Sequence, residues 1–186
     1  APRALSTEEI PDIVAAFVHG ARCAMEAGFD AVEVHGANGY LIDQFLRDSI
    51  NDRQDAYGGS IENRARLLVE VMSAIAAAIG PGRTGLRLSP VTPVNDAGQD
   101  SDAQALFNHV AEQLAPLNMA FLHIIEGQTG GARDVAPFDY AAMRARFKGP
   151  WIANNGYTRE MALTAVAEGR ADLIAFGRDY ISNPDL

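Results

Sequence analysis

Five short apolar runs, each separated from the next by a helix-patterned stretch, constrain this chain more than any other feature. The runs are Asp30–His35, Gly85–Ser89, Ala120–Ile125, Trp151–Asn154 and Asp172–Phe176. They are short and apolar on both faces, as strands of a parallel sheet covered by helices must be. Between them the apolar spacing switches to a helical period. Ser6 or Thr7 can cap the first helix, Glu8 and Glu9 occupy its first turn, and Ile10, Ile13, Val14, Phe17, Val18 and Ala21 form its stripe up to Gly28. Ser60 caps a second helix over Ile61–Ile79, which Pro81-Gly82 ends, and a long loop joins His35 to Ser60. Further helices are predicted over Asp102–Leu114, Asp139–Phe147 and Thr158–Glu168, with another beginning at Asn183–Leu186.

Repeated strand–helix units fit either a doubly wound sheet or a (β/α) barrel. The strand ends separate them. His35, Ser89-Pro90, Glu126-Gly127, Asn154-Asn155-Gly156 and Gly177-Arg178 all follow the carboxyl ends of strands, and a barrel gathers those ends onto one mouth. An open sheet would concentrate them at one switch point, and no G-x-G-x-x-G follows any strand. The expected fold is therefore an α/β (β/α)8 TIM barrel. Such a barrel needs eight strands, so residues 1–186 read as one partial-barrel domain holding roughly the last five units. The rest is expected either to have been removed or to come from a second, complementary polypeptide. Both ends, Ala1-Pro2-Arg3 and Asn183-Pro184-Asp185-Leu186, read as cut.

With 186 residues and 48% hydrophobic content the chain can bury a core. A net charge of −9 excludes a nucleic-acid or membrane-surface role, since no basic tract offsets the acid. An anionic ligand would need local arginines or backbone amides. No apolar run reaches membrane-span length and no signal-peptide pattern opens the chain, so a cytoplasmic location is expected. The single cysteine, Cys23, excludes an intrachain disulfide and reads as a buried helix position beside Ala24 and Met25. No metal site is expected, because no second histidine or carboxylate stands at ligand spacing from His35.

Chemistry concentrates in Val32-Glu33-Val34-His35-Gly36-Ala37-Asn38-Gly39-Tyr40. A strand delivers a histidine, and a glycine-punctuated turn returns an amide and a phenol beside it. Two donors and a weak acid can hold an electron-rich oxygen and protonate a neighbouring carbon. Arg87, between Leu86 and Leu88 in a strand, needs a partner inside the barrel, because an unpaired buried guanidinium is costly. Asn155-Gly156 and Gly177-Arg178 follow successive strands and supply the amides and cation that a phosphate needs. Asp52, Arg53, Asp55, Glu62 and Arg64 read as ion pairs and caps of the long loop. His19 and His109 read as surface or packing residues, Trp151 as packing, and His123 is ambiguous. Gly130-Gly131 would let the loop after Glu126 move.

Three of these segments carry a family resemblance. His35-Gly36-Ala37-Asn38-Gly39-Tyr40-Leu41-Ile42-Asp43-Gln44-Phe45-Leu46 resembles the active-site segment of the old yellow enzyme family of flavin-dependent ene-reductases. Asp55-Ala56-Tyr57-Gly58-Gly59-Ser60-Ile61-Glu62-Asn63-Arg64 resembles the next signature, and Phe176–Leu186 the late phosphate-binding segment. The resemblance implies FMN as cofactor and NAD(P)H as hydride donor in a ping-pong cycle. The acceptor would be an electrophilic alkene, nitro compound or nitrate ester. It implies His35 and Asn38 as donors to the substrate oxygen and Tyr40 as proton donor. Arg87 would lie beside the flavin, and Asn155, Gly156, Gly177 and Arg178 would hold its phosphate. The rivals are a relative of iron–sulfur dienoyl-CoA reductases and a non-catalytic fragment or half of a split enzyme.

Overall fold

The computed structural model describes residues 3–185. Ala1, Pro2 and Leu186, where the sequence reads as cut, lie outside the described residues. A 3-10 turn over Thr7–Glu9 leads into α1 (Ile10–Glu26), followed by β1 (Val32–Gly36), α2 (Leu41–Leu46) and α3 (Ile61–Ile79). Then come β2 (Thr84–Leu88), α4 (Ala103–Leu114), β3 (Phe121–Ile125), α5 (Tyr140–Phe147) and β4 (Trp151–Asn154). The chain continues through α6 (Arg159–Ala167), β5 (Leu173–Ala175) and α7 (Arg178–Ser182).

The five strands pair in chain order, β1-β2-β3-β4-β5, all parallel. A doubly wound sheet reverses its strand order at a switch point; this sheet does not, which is the barrel's pattern. The register places Val34, Leu86, Leu88, Leu122, Ile124, Trp151 and Ala153 on one face. That face packs into a single core with Leu67, Leu68, Val71, Met72 and Ile75 of α3 and Phe107, Val110 and Leu114 of α4. The opposite face, which becomes the barrel interior, carries Glu33, His35, Arg87, His123 and Asn154. The expectation of strands apolar on both faces is corrected here: one face is apolar and the other is mixed, because it lines the site.

Side-chain caps begin α3, α4 and α5 where the sequence places those helices, whereas Ser6 precedes the 3-10 turn and α1 starts at Ile10 after Glu9 with no side-chain cap, a correction to the expected first-helix start. Ser60 accepts from the Asn63 amide at 3.3 Å, Asp102 from Ala105 at 3.1 Å and Asp139 from Ala142 at 2.9 Å. Three further expectations need correction. The long loop contains α2, whose six residues are too few to show a helical period, although Ile42, Phe45 and Leu46 are buried. The final helix begins at Arg178 and not at Asn183. Cys23 is exposed, since it lies two residues beyond the buried Ala21, about 200° around the helix, and its thiol approaches His19 one turn earlier at 3.5 Å.

Two buried ion pairs hold the segment around α2. Arg47 and Asp43, both fully buried, meet at 3.0 Å. Arg64 pairs with Asp100 and also donates to the Leu46 carbonyl. Arg53 and Asp55 pair at 2.5 Å, as expected of the loop charges. Among the described residues β1 and β5 each keep one edge unpaired, and none of the helices is long and apolar enough to cross a membrane.

Candidate active site

His35 is the fourth residue of β1 and stands level with Arg87 of β2, which in turn stands level with His123 of β3. Gly36 follows because a Cβ there would lie 3.1 Å from the Arg87 carbonyl and from the Leu86 and Leu88 side chains. The chain then turns through two left-handed residues, Asn38 (φ 59°) and Gly39 (φ 72°), conformations that asparagine and glycine adopt most readily. A side chain at Gly39 would meet the Val94 carbonyl at 2.7 Å. The Asp43 carboxylate accepts the Gly39 amide at 2.8 Å, and burial pushes that carboxyl up against the opposing pull of Arg47. The turn brings Tyr40 back beside His35, with ring centroids 5.3 Å apart and planes tilted by 49°. Tyr40 is 56% exposed, so its phenol faces open space, not the core.

Asn38 is held on all but one side. Its backbone amide donates to Ser89 Oγ at 2.8 Å, its carbonyl accepts from Asn95 at 2.9 Å, and its Oδ1 accepts from the Thr129 hydroxyl at 2.7 Å. Among the described residues its Nδ2 has no partner. Burial, and next the Arg87 guanidinium, hold the His35 imidazole below its usual pKa. A neutral imidazole retains one N–H donor. His35 and Asn38 therefore present donors, and Tyr40 an acid, on one rim of the sheet.

Arg87 donates from a terminal nitrogen to Asn154 Oδ1 at 2.9 Å, and Asn154 donates in turn to the Ala175 carbonyl at 2.8 Å. Its Nε is buried with no partner among the described residues. Arg87, Asn155, Gly156, Gly177 and Arg178 all line one cleft of about 300 Å³ at the carboxyl ends of β4 and β5. The five cofactor-site residues expected from sequence thus share one cavity. The Asn155 side chain is committed elsewhere, donating to the Glu126 carbonyl at 2.6 Å and accepting from the Gly130 amide at 3.1 Å. Asn155 at φ 96° and Gly156 at φ 64° both have positive φ where they line the cleft.

Three participants escaped sequence reasoning. Asn154 is the partner that Arg87 required. Glu33 reaches across β2 to His123, with Oε2 to Nδ1 at 2.7 Å, which places the ambiguous histidine in the barrel interior; the His123 Nε2 is buried with no partner among the described residues. Period-two spacing from His35 could have put Glu33 on the interior face. Thr129 gave no signal. A larger cleft of about 1250 Å³ lies beside α5 and ahead of β4 and β5, away from the His35 turn. Of its four lining cations, Arg133, Arg144 and Arg170 are paired with Glu126, Asp172 and Glu168, and Lys148 is the fourth.

The family model described as "NADH:flavin oxidoreductase / NADH oxidase family" matches residues 1–186. The chain is 48% identical over 187 residues to 12-oxophytodienoate reductase 2 of Arabidopsis thaliana, covering 100% of this chain and 50% of that protein. It is equally 48% identical over 192 residues to putative 12-oxophytodienoate reductase 10 of Oryza sativa subsp. japonica, covering all of this chain and 60% of that one. Among solved structures, the old yellow enzyme homologue from Zymomonas mobilis superposes with a TM-score of 0.90 at 42% identity, over 98% of this chain and 52% of that chain. Morphinone reductase in complex with tetrahydroNAD superposes with a TM-score of 0.91 at 43% identity, over 100% of this chain and 49% of that chain. The chain spans 50% and 60% of the two curated relatives, so it corresponds to part of their barrel.

Proposed function

Since the chain belongs to the NADH:flavin oxidoreductase / NADH oxidase family, we propose that it forms the hydride-accepting side of an FMN-dependent ene-reductase. The acceptors are α,β-unsaturated carbonyls, nitroalkenes, or nitro and nitrate-ester compounds, and NAD(P)H is the donor. The observation that carries this reading is the pairing of a two-donor-plus-phenol rim with a cleft holding a partly unpartnered guanidinium.

The residues present fit FMN. Arg87 lines the cleft, and its guanidinium, with a buried Nε unpartnered among the described residues, suits an anionic or carbonyl-rich ring edge. Gly177 and Gly156 leave room for a phosphate against backbone amides, with Arg178 as counter-charge. Asn155 contributes through its backbone, its amide side chain being occupied. The chemistry FMN supplies when bound is hydride carriage from NAD(P)H to the acceptor.

The chain's own residues manage the oxygen and the proton. As hydride reaches the β-carbon, negative charge grows on the carbonyl or nitro oxygen. His35 and the Nδ2 of Asn38 donate to that oxygen, each raising the rate by about 10²–10³-fold as preorganised oxyanion donors do. Tyr40 hands its phenolic proton to the α-carbon, which completes saturation of the double bond. Nicotinamide and acceptor occupy the same space in turn, so the cycle is ping-pong.

Residues 1–186 act in this reading as one partial-barrel, flavin-binding domain. The remaining strands, on the same or a complementary polypeptide, cover the free edges of β1 and β5. A cytoplasmic setting belongs to the same reading, because NAD(P)H is available there. Tyr40→Phe in the FMN-loaded protein tests it. Stopped-flow measurement should show oxidation of NAD(P)H at the wild-type rate and reduction of 2-cyclohexenone slowed about 10²–10⁴-fold. Wild-type rates in both half-reactions would remove Tyr40 from the mechanism.

A further inference from the structure

The turn after β3 ties the two halves of the site together, and one of its side chains has no role in the reading above. The Gln128 backbone amide donates to the Ala132 carbonyl at 2.7 Å, and the Gly131 backbone amide donates to the Gln128 carbonyl at 2.8 Å, which closes residues 128–132 into a compact loop. The loop is moored at several points. Thr92 donates to the Gly127 carbonyl at 2.5 Å, Gly127 donates to the Tyr140 phenol at 2.9 Å, and Gly130 donates to Asn155 Oδ1 at 3.1 Å. From this loop the exposed Thr129 reaches 91 residues back along the chain to Asn38 Oδ1 at 2.7 Å.

We propose that Thr129 is a positioning residue that holds the Asn38 amide with its N–H₂ facing the substrate oxygen. The proposal rests on the reading of Asn38 as an oxyanion donor. An asparagine amide carries an acceptor and a donor at nearly equal reach, so a rotation about its last bond exchanges them. The Asn38 backbone is fixed by Ser89 and Asn95, but neither partner touches the side chain. Among the described residues, the Thr129 hydroxyl is the one group that hydrogen-bonds the side chain. By donating to Oδ1 it keeps the oxygen turned away from the substrate, and it polarises the amide so that the opposite N–H bonds donate more strongly. The rim therefore selects substrates with an acceptor oxygen. Because Gly130, the next residue, is held by Asn155 at the phosphate cleft, the loop sets Asn38 from the cofactor's side of the barrel.

Equilibrium titration of 2-cyclohexenone into the oxidised, FMN-loaded protein, without nicotinamide, tests this. Thr129→Val keeps the shape and removes the hydroxyl, and should raise the Kd about five-fold. Thr129→Ser keeps the donor and should stay within about two-fold of wild type. In an Asn38→Ala background Thr129→Val should have no further effect, since its action passes through the amide. In the protein without substrate, Thr129→Val should shift the Asn38 side-chain amide resonances and leave the Gly130 backbone amide protected, showing the loop still closed. Wild-type affinity in Thr129→Val, equal weakening in Thr129→Ser, or an undiminished effect in the Asn38→Ala background each overturns the proposal. If Asn38→Ala itself binds cyclohexenone as tightly as wild type, the donor role of Asn38 falls. If Asn38→Ala weakens binding and Thr129→Val does not, only the positioning role falls.

Discussion

Residues 37–64, which carry most of the proposed clamp after β1, and residues 154–182, which carry the proposed phosphate cleft after β4 and β5, sit at the same end of one sheet but are fastened differently. In the first segment Arg47 is wholly buried and donates to Asp43 at 3.0 Å, the Gly98 carbonyl at 2.9 Å and the Ser89 carbonyl at 2.6 Å. Arg64 is engaged by Asp100 and the Leu46 carbonyl, and Asp100 also accepts the Asp48 amide at 2.9 Å. In the second segment none of the residues of α7 is buried, Leu173 of β5 is 55% exposed, and Ile181 is 84% exposed. The clamp is thus built from long-range polar anchors within this chain. The cleft leaves its amides and its cation Arg178 open. The exposure of the second segment goes with the edge of β5 that is unpaired among the described residues.

The largest break in that contrast should come from Asp43→Ala. It strands the buried Arg47 guanidinium and frees the Gly39 amide, at a cost of about 3–5 kcal/mol. Urea denaturation followed by circular dichroism measures it, and a loss below about 1 kcal/mol would mean that the clamp is not held as described. Asn154→Ala, between the two regions, should cost less. Arg87 loses one acceptor but is only partly buried, so about 1 kcal/mol is expected, together with weaker FMN binding by fluorescence titration. Amide hydrogen exchange gives a direct comparison. Leu41–Leu46 of α2 should be protected and Arg178–Ser182 of α7 should exchange near the unprotected limit until FMN is added. Equal protection without FMN would erase the difference between the regions.

The smallest effect is a titration. His35 is held below its usual pKa by burial and by Arg87, so the folded state binds fewer protons than the unfolded state just below pH 6.5. Stability from this group is complete above its unfolded pKa of about 6.5 and is lost as pH falls through the depressed folded value. An NMR titration should place the His35 midpoint below 6.5, and Arg87→Gln should move it upward. Because His35 is only partly buried and keeps much of its surface exposed, the effect on overall stability should be small.

Much of this fold was legible because barrel units repeat a local pattern. The strand at Trp151–Asn154 and the helix at Ile61–Ile79 carry their own boundaries, set by apolar period, caps and breakers. The helix α2 was not legible, since six residues complete fewer than two turns and its burial depends on the Asp43–Arg47 pair. The exposure of Cys23 was missed for a similar reason: which side of α1 meets α3 is a matter of phase, not of composition.

By itself the sequence determined the element types, the parallel order of the sheet, and the residue types offered at its carboxyl end, from His35 and Tyr40 to Gly177 and Arg178. Those follow from short-range rules: period, capping, and the glycines demanded by left-handed turns. Only the tertiary structure decided that Asn154 holds Arg87, that Glu33 crosses β2 to His123, and that Asn155 spends its side chain on the neighbouring loop. It alone brought Thr129 to Asn38. Each of these is a contact between residues on different strands or loops, created by strand register and loop closure. One-dimensional spacing carries no trace of that proximity.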